Sequence, residues 1–282
     1  MLRKLIYTLV LASTFAKAQH APTAMVNTAM NSFIAQCGTR PAPIELYAMN
    51  NFVAVNIANG NWEVMDRAFL FAQSIQANGR ISIKNPTSTA VTETNSPTWT
   101  QYQGYTGNGT TSYIVTNYKL TTAGNNFAIN SADFGVYVNS VGTAARNSVE
   151  LGAVTAGGAV STSLYTRYSD GNMYALVNHN AGAFATGSIS TCLGLTSGRR
   201  TASNAVAIWK DGVSQYTNTT ASSSVPAYDL YVLARNVAGN SLLVDNFSDR
   251  RVAFAYAGSS AIGTLNLYNS LNLLAYQLGF HF

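Results

Sequence analysis

Charged residues are scarce in this sequence. They make up 10% of the 282 residues, whereas about 25% is usual in soluble domains. Hydrophobic residues make up 47%, so the surface has to be built largely from Asn, Ser, Thr, Gln, Gly and Tyr. No basic run is longer than a pair such as Arg199-Arg200 or Arg250-Arg251. Nucleic-acid surfaces need clustered Lys and Arg, so the sequence predicts no nucleic-acid partner.

Cysteine is almost absent too. Cys37 and Cys192 are the only two, and they lie far apart in segments of different character. In an oxidising compartment they could pair; the alternative is two isolated buried thiols. Neither has a second Cys or a His at the spacing of metal ligands. The sequence therefore predicts no metal site and no cofactor.

Long hydrophobic runs are also lacking, and the longest one is at the N-terminus. Arg3 and Lys4 precede the apolar run 5–12, which is shorter than the about 20 residues that a membrane span needs. Ala16-Lys17-Ala18 resembles a signal-peptidase site with cleavage before Gln19. We therefore expect a signal peptide at 1–18 and a secreted or cell-surface protein; the alternative is a buried N-terminal helix or strand. Removing the three basic residues of this segment from the 16 leaves 13, against 11 acidic residues.

Helical spacing is confined to the two ends of the chain. Pro22 suits a first helical turn and Gly38 a C-terminal cap, and a second helix is predicted from about Pro43 to Gly60. At the other end, Thr264 is predicted to cap a helix that Gly279 stops. Apolar residues recur on one face of each predicted helix, including Val26, Met30, Phe33, Ile34, Cys37, Leu46, Met49, Ile57, Leu267, Leu271, Leu274 and Leu278.

Short strands separated by turn residues are predicted for most of the remainder. The segment 104–118 combines three glycines with a β-rich run, which is typical of a turn that leads into a strand. Asp170-Gly171 and Asp211-Gly212 are the strongest hairpin signals. A buried strand is expected at 66–71, a short strand at 81–83, and then a polar extended loop. Further strands are predicted at 112–118, 133–139, 147–153, 162–168, 172–178, 188–194, 203–209, 228–235, 241–246 and 251–257.

Three segments resemble laminin-G-like members of the concanavalin A-like lectin/glucanase superfamily. They are Gly-Tyr-Thr-Gly-Asn-Gly from position 104 with the strand that follows, Asn-Ser-Ala-Asp-Phe-Gly-Val-Tyr from 130, and Arg-Thr-Ala-Ser-Asn-Ala-Val-Ala-Ile-Trp-Lys-Asp-Gly from 200. The resemblance covers about residues 62–282 and is nearest to phage and bacterial surface proteins, including tail and head-fibre components. It implies a β-sandwich in which Trp209 belongs to a central strand. Unlike calcium-binding members of the superfamily, this chain has only scattered acids.

The resulting architecture is mainly β. We expect an antiparallel two-sheet jelly-roll sandwich, concanavalin A-like, with a small helical N-terminal segment and a C-terminal helix. The predicted boundaries are 1–18 for the signal peptide, 19–61 for the helical segment, and 62–282 for the laminin-G-like sandwich with its C-terminal helix.

Catalytic patterns are missing. A retaining glycosidase needs two carboxylates about 5 Å apart, for which alternating acids on one strand are the expected signal, and no such run exists. The nearest acid pairs are Glu63 with Asp66 and Asp245 with Asp249, and Asp66 is expected to pair with Arg67 or to serve a turn. There is no Gly-x-Ser-x-Gly elbow, and the three histidines are dispersed at positions 20, 179 and 281. The protein is therefore predicted not to be an enzyme.

Binding has better support in the sequence. Sixteen tyrosines, three tryptophans and many amides suit saccharides, whose C–H faces stack on aromatic rings. Tyr165 and Tyr168 precede one predicted hairpin and the segment 178–180 follows its second strand, so these residues are expected to converge on one rim. The alternative for the aromatics is ordinary core packing, and for Arg199-Arg200 a solvated turn. The predicted ligand-binding residues are Tyr165, Arg167, Tyr168, His179 and Arg200.

The function expected from the sequence is non-catalytic recognition, with a glycan or cell-surface polysaccharide as partner. One alternative is a structural or adhesive component, such as a virion fibre, a decoration protein or a surface-layer protein, that assembles as a homo-oligomer. A glycoside hydrolase or lyase is the third interpretation. No membrane span is expected.

Overall fold

The computed structural model describes residues 21–143, 147–180, 184–238 and 243–279. The predicted signal peptide, His20 and His281 lie outside these ranges, so the cleavage and secretion predictions stay predictions. None of the helices in the described ranges has the length and apolar character that a membrane crossing requires.

Helices occupy both ends of the described chain, as predicted. The α-helices of the described residues are α1 (Thr23–Gln36), α2 (Pro43–Ala58), α3 (Asn61–Val64), α4 (Gln76–Gly79) and α5 (Thr264–Gln277). A 3-10 turn lies at Ala156–Gly158.

Strands fill the region between the helices. They are β1 (Met65–Leu70), β2 (Thr92–Thr94), β3 (Thr98–Thr100), β4 (Gly104–Thr106), β5 (Tyr113–Lys119), β6 (Ala132–Ser140), β7 (Leu151–Val154), β8 (Ser161–Tyr165), β9 (Asn172–His179), β10 (Ala185–Ser188), β11 (Gly194–Ala202), β12 (Ala205–Lys210), β13 (Val213–Asn218), β14 (Asp229–Val232), β15 (Arg235–Val237) and β16 (Arg251–Gly258).

The strands form two eight-stranded sheets that make a sandwich, which confirms the predicted fold class. Sheet A has the order β13-β12-β11-β6-β16-β4-β3, and β1 also pairs with β16. Sheet B has the order β10-β9-β8-β7-β14-β5-β2, and β15 pairs with β7. All of these pairs are antiparallel except β15 with β7, which is parallel.

Two apolar layers hold the molecule together. Between the sheets, inward side chains from sheet A such as Phe134 and Ile208 meet inward side chains from sheet B such as Leu164 and Val177. On its other face, sheet A is covered by α1, α2 and α5, which pack around Phe254. Sheet A is therefore buried on both faces over much of its width, whereas no helix among the described residues packs on the outer face of sheet B.

Several predicted strands are wrong or displaced. No strand forms at 81–83, where only an isolated bridge joins Ala68 and Lys84. The polar segment predicted as a loop before Gly104 pairs instead as β2 and β3, because its backbone reaches the sheet edges although its side chains are polar. The strand predicted at 188–194 is divided between the end of β10 and the start of β11. Residues 243–246 form only a bridge between Arg235 and Asp245.

Two predicted helix ends, at Gly60 and Gly279, are confirmed, and the predicted caps at Gly38 and Thr264 are wrong. Gly60 and Gly279 follow helices with φ of 74° and 75°, as expected of helix-stopping glycines. Gly38 does not cap α1, because the chain already leaves the helix in an extended conformation at Cys37. Thr264 is the first residue of α5 and makes no capping hydrogen bond from its side chain.

Both predicted hairpin turns are confirmed. Asp211 and Gly212 have φ of 51° and 81° and join β12 to β13. Gly171 has φ of 83° and its N–H donates to the carbonyl of Tyr168 in the turn between β8 and β9. Gly104 has φ of 98°, and a Cβ there would lie 2.1 Å from the carbonyl oxygen of Val252.

The two cysteines do not form a disulfide. Cys192 is buried and Cys37 is half-buried, and both are free thiols. Burial, with Glu45 nearby, raises the pKa of Cys37 to about 11, so this thiol stays protonated at neutral pH.

Candidate functional site

A pocket of about 200 Å³ opens on the outer face of sheet B, lined by Tyr165, Tyr168, Tyr174 and Phe184. We call it the aromatic pocket. It follows from strand alternation: Leu164 and Ala175 point into the core between the sheets, so their neighbours Tyr165 and Tyr174 point outward. The Asp170-Gly171 turn sets the register in which Tyr165 pairs directly with Tyr174.

The four rings pack edge to face. The Tyr168 and Tyr174 centroids are 5.4 Å apart at an interplanar angle of 72°, and those of Tyr174 and Phe184 are 5.1 Å apart at 79°. Tyr165 lies 5.6 Å from Tyr168 at 76°. This geometry places positive ring edges against negative faces and is favourable for aromatic clusters, so the pocket walls are held in place without a ligand.

Hydrogen bonds between polar groups hold the floor and the rim of the aromatic pocket in place. Beneath it, Nη1 of Arg235 donates to the hydroxyl of Tyr165 at 3.2 Å, and Arg235 is itself bound by both carboxylate oxygens of Asp245 at 2.8 and 2.6 Å. At the rim, Asp170 accepts hydrogen bonds from the hydroxyl of Tyr174 and from the amide of Asn172. The floor is therefore rigid, and the rim presents acceptors to solvent.

Two ionisable groups at the pocket have shifted pKa values. The hydrogen bond from Tyr174 lowers the pKa of Asp170, so this exposed carboxylate is ionised at neutral pH. Burial raises the pKa of Tyr165, which keeps its hydroxyl protonated. The site thus offers a charged acceptor beside neutral aromatic walls, an arrangement that suits hydroxyl donors of a ligand.

The residues predicted from the sequence do not converge on one rim. Tyr165 and Tyr168 line the aromatic pocket, but His179 pairs with Ser161 at the other end of the same hairpin. Five residues of strand separate Tyr174 from His179, or about 16 Å. Arg167 does not line the pocket; its carbonyl accepts a hydrogen bond from Nη2 of Arg250. Tyr168 lies at the turn of this antiparallel hairpin and His179 at its open end, a strand's length away, so the two cannot share one rim.

Arg200 is neither a solvated turn residue nor a surface contact. It lies in β11 and is fully buried between the sheets, where Nε donates to the carbonyl of Val177 at 2.7 Å and Nη1 to the carbonyl of Thr220 at 3.1 Å. Burial lowers its pKa to about 10. His179, also buried, has its pKa lowered by burial and by the charge of Arg200.

Asp66, one of the acidic residues considered for catalysis, has structural partners. The Asp66 carboxylate accepts from the hydroxyl of Tyr118 at 2.8 Å and from the backbone N–H groups of Asn126 and Phe127 at 2.7 and 2.9 Å. It does not pair with the Arg67 side chain, which donates to the backbone carbonyl of Asp66 instead. Within the described ranges, no group of three or more His, Cys, Asp or Glu side chains is placed to hold a metal ion.

No protein-family model matches this sequence. No curated protein sequence matches it either. Solved structures with a similar fold include the binding domain of botulinum neurotoxin serotype D, at 7% identity and a TM-score of 0.48, over 73% of this chain and 52% of that one. The chain therefore spans about half the length of that domain.

Two further solved structures are similar to this chain over most of its length. A sialidase of Trypanosoma rangeli is 12% identical with a TM-score of 0.48, over 81% of this chain and 39% of that one. Domain 4 of AbnA, an extracellular arabinanase of Geobacillus stearothermophilus solved with arabinotriose, is 13% identical with a TM-score of 0.43, over 73% of this chain and 98% of that one. The predicted laminin-G-like superfamily and its surface-protein subgroup stay predictions.

Sequence reasoning missed Tyr174, Phe184 and Asp170 as members of the site. Tyr174 could have been predicted from the sequence, because a hairpin that turns at Asp170-Gly171 brings Tyr165 and Tyr174 close together across the strands. No comparable signal existed for Phe184, which reaches the pocket only because β10 folds back beside β9.

Proposed function

We propose that this protein is a non-catalytic carbohydrate-binding protein whose binding site is the aromatic pocket. The observation that carries the proposal is the combination of four aromatic rings around one hollow with a carboxylate and an amide at its rim. Sugars present both an apolar C–H face and hydroxyl groups, so rings and acceptors in one place match them.

The size of the pocket limits what it can hold. Pockets for drug-sized ligands usually measure about 300–1,000 Å³, and this one measures about 200 Å³. It therefore fits a single sugar residue, such as the end of a chain or one branch. Asp170 at the rim repels anions, so the preferred residue carries hydroxyl groups and no carboxylate or sulfate.

The test is a glycan-array screen of the purified protein, followed by calorimetric titration with the strongest oligosaccharide. Tyr168→Ala removes one pocket wall, and we expect it to weaken binding about tenfold or more, because burial of an aromatic side chain contributes about 1.5–3 kcal/mol. The matched control is Tyr276→Ala, which removes an exposed tyrosine of α5 and should leave binding unchanged. Equal affinity for the wild type and Tyr168→Ala would contradict the assignment of the site.

A structural role is the second candidate, favoured by exposed apolar side chains on the helical layer. Ile44 and Tyr47 are three residues apart on α2 and are each 53% exposed, so they form one apolar spot of the kind that serves subunit contacts. Light scattering on the sample used for the array separates the two roles. Ordered oligomers without any glycan signal would favour assembly over carbohydrate binding.

A further inference from the structure

A second hollow lies on the outer face of sheet A, beside the helical layer. It measures about 290 Å³, and its lining includes Arg199, Thr201, Ala205, Ala207, Trp209 and Thr217. We call it the Trp209 trough. It is on the face of the sandwich opposite to the aromatic pocket, and no ligand-binding role was predicted for Trp209, which was expected in a central strand.

Strand alternation explains why the trough is hollow. In β12, Val206 and Ile208 point into the core between the sheets, so Ala205, Ala207 and Trp209 point outward. Ala207 lies between Arg199 of β11 and a residue of β13. Small methyl groups on the floor, next to larger side chains on the neighbouring strands, leave a depression bordered by an indole ring.

The indole ring is fixed by its neighbours. The guanidinium carbon of Arg199 lies 4.5 Å from the ring centroid of Trp209, and Nε of Arg199 donates to the Asp133 carboxylate at 2.6 Å. Asp133 is fully buried and also accepts from the hydroxyl of Tyr256 at 2.7 Å. Arg199 further donates to the carbonyl of Ile262. The tryptophan is therefore positioned before any ligand arrives, which reduces the entropic cost of binding.

The charges at the trough favour a neutral ligand. Arg199 is the one charged side chain in the described lining, and its charge is already balanced by Asp133. Among the described residues nothing accepts a hydrogen bond from Nη1 of Arg199, so this nitrogen remains a donor for a ligand oxygen. The hydroxyls of Thr201 and Thr217 lie along the exposed sides.

We propose that the Trp209 trough is a second carbohydrate site, specific for neutral saccharides, with a sugar ring packed on Trp209 and Ala207 and its hydroxyls bound by Arg199. The two hollows share no lining residue and lie on opposite sheets; Asn218 of the trough lining donates to the carbonyl of Phe184 at 2.8 Å. When both are occupied, one molecule joins two glycan chains.

The experiment compares variants on an array of neutral and acidic oligosaccharides, with thermal unfolding of each variant as a folding check. Trp209→Ala should reduce binding to a set of neutral glycans tenfold or more, while Trp209→Phe, which keeps an aromatic face, should retain most of it. The matched control is Val213→Ala, which removes an exposed side chain of β13 outside the trough. Tyr168→Ala should not change binding to these neutral glycans.

Nuclear magnetic resonance gives an independent readout on the folded wild type. The protein has three indole N–H signals, from Trp62, Trp99 and Trp209, and the strongest neutral oligosaccharide from the array should shift that of Trp209 alone. The proposal would be overturned if neutral glycans bind Trp209→Ala as well as they bind the wild type, or if no neutral glycan on the array loses binding in that variant. Loss of binding in Tyr168→Ala alone would refute this second site while supporting the aromatic pocket.

Discussion

Glu150 is the residue whose removal we expect to cost the most stability, because it is the centre of a fully buried network. Its Oε1 accepts from Ser148 at 3.0 Å, Ser248 at 2.9 Å and Nη1 of Arg250 at 2.6 Å. Its Oε2 accepts from the backbone N–H and the hydroxyl of Thr166 at 2.7 and 3.0 Å. Glu150 and Arg250 are 0% and 1% exposed, so water cannot replace either partner.

Glu150→Ala leaves the charge of Arg250 buried without a counter-ion. Breaking a buried pair in this way costs about 3–5 kcal/mol, out of the about 5–15 kcal/mol by which domains are usually stable. The exposed pair offers a matched control: Arg80 is 40% exposed and pairs with Glu93, so Arg80→Ala should cost about 0.2–1 kcal/mol.

Urea unfolding followed by circular dichroism measures both costs. The double variant Glu150→Leu with Arg250→Met removes both charges together, so it should recover much of the loss, because an apolar pair of similar volume is often as stable as a buried ion pair. If Glu150→Ala costs less than about 1 kcal/mol, or if the double variant is less stable than the single one, the reasoning is refuted. Glu150→Ala should also weaken glycan binding, since Thr166 belongs to the hairpin that carries Tyr168.

Two further predictions concern other buried positions. Burial and the neighbouring Arg200 lower the folded-state pKa of His179 below its ordinary value of 6.5, so the unfolded chain takes up the proton first. The stability that neutral, buried His179 contributes is therefore full above about pH 6.5 and is lost as the pH falls from there towards the folded pKa. Urea unfolding at several pH values should show that His179→Gln loses less stability on acidification than the wild type. An equal loss of stability in the two proteins would contradict the prediction. Gly135 lies in the middle of sheet A, where a Cβ would approach the carbonyl oxygen of Thr196 at 2.6 Å. Gly135→Ala should cost about 1–3 kcal/mol or more, measured against Gly38→Ala, whose Cβ meets nothing within 4 Å; equal melting temperatures would refute it.

Local sequence patterns were sufficient to predict the elements with strong periodicity. The spacing of apolar residues predicted α1, α2 and α5, and the aspartate-glycine pairs predicted the turns at 170–171 and 211–212. These predictions succeeded because a helix face or a tight turn depends on residues within a few positions of each other. The edge strands β2 and β3 escaped prediction because three residues each, polar except for Trp99, are too few to show a period, and only the neighbouring strand supplies their hydrogen-bond partners.

The sequence predicted only some of the residues that line the aromatic pocket and the Trp209 trough. Tyr165 and Tyr168 were predicted to bind ligand and do line the aromatic pocket, although their ligand-binding role stays a prediction. His179 and Arg200 were grouped with them wrongly, because their position depends on strand register and on which sheet each strand joins. The family resemblance placed Trp209 in a central strand and did not predict a binding role for it, and alternation along β12 turns its side chain outward.

Composition, turn residues and periodicity act over short distances along the chain, so they were enough to predict a weakly charged β-sandwich with helices at its ends. Long-range packing sets which aromatic rings meet, since Tyr165 and Phe184 come together through three strands paired side by side. It also decided which charges are buried: Glu150 and Arg250 are 100 positions apart in the sequence, and only the packing of the folded chain brings them into contact.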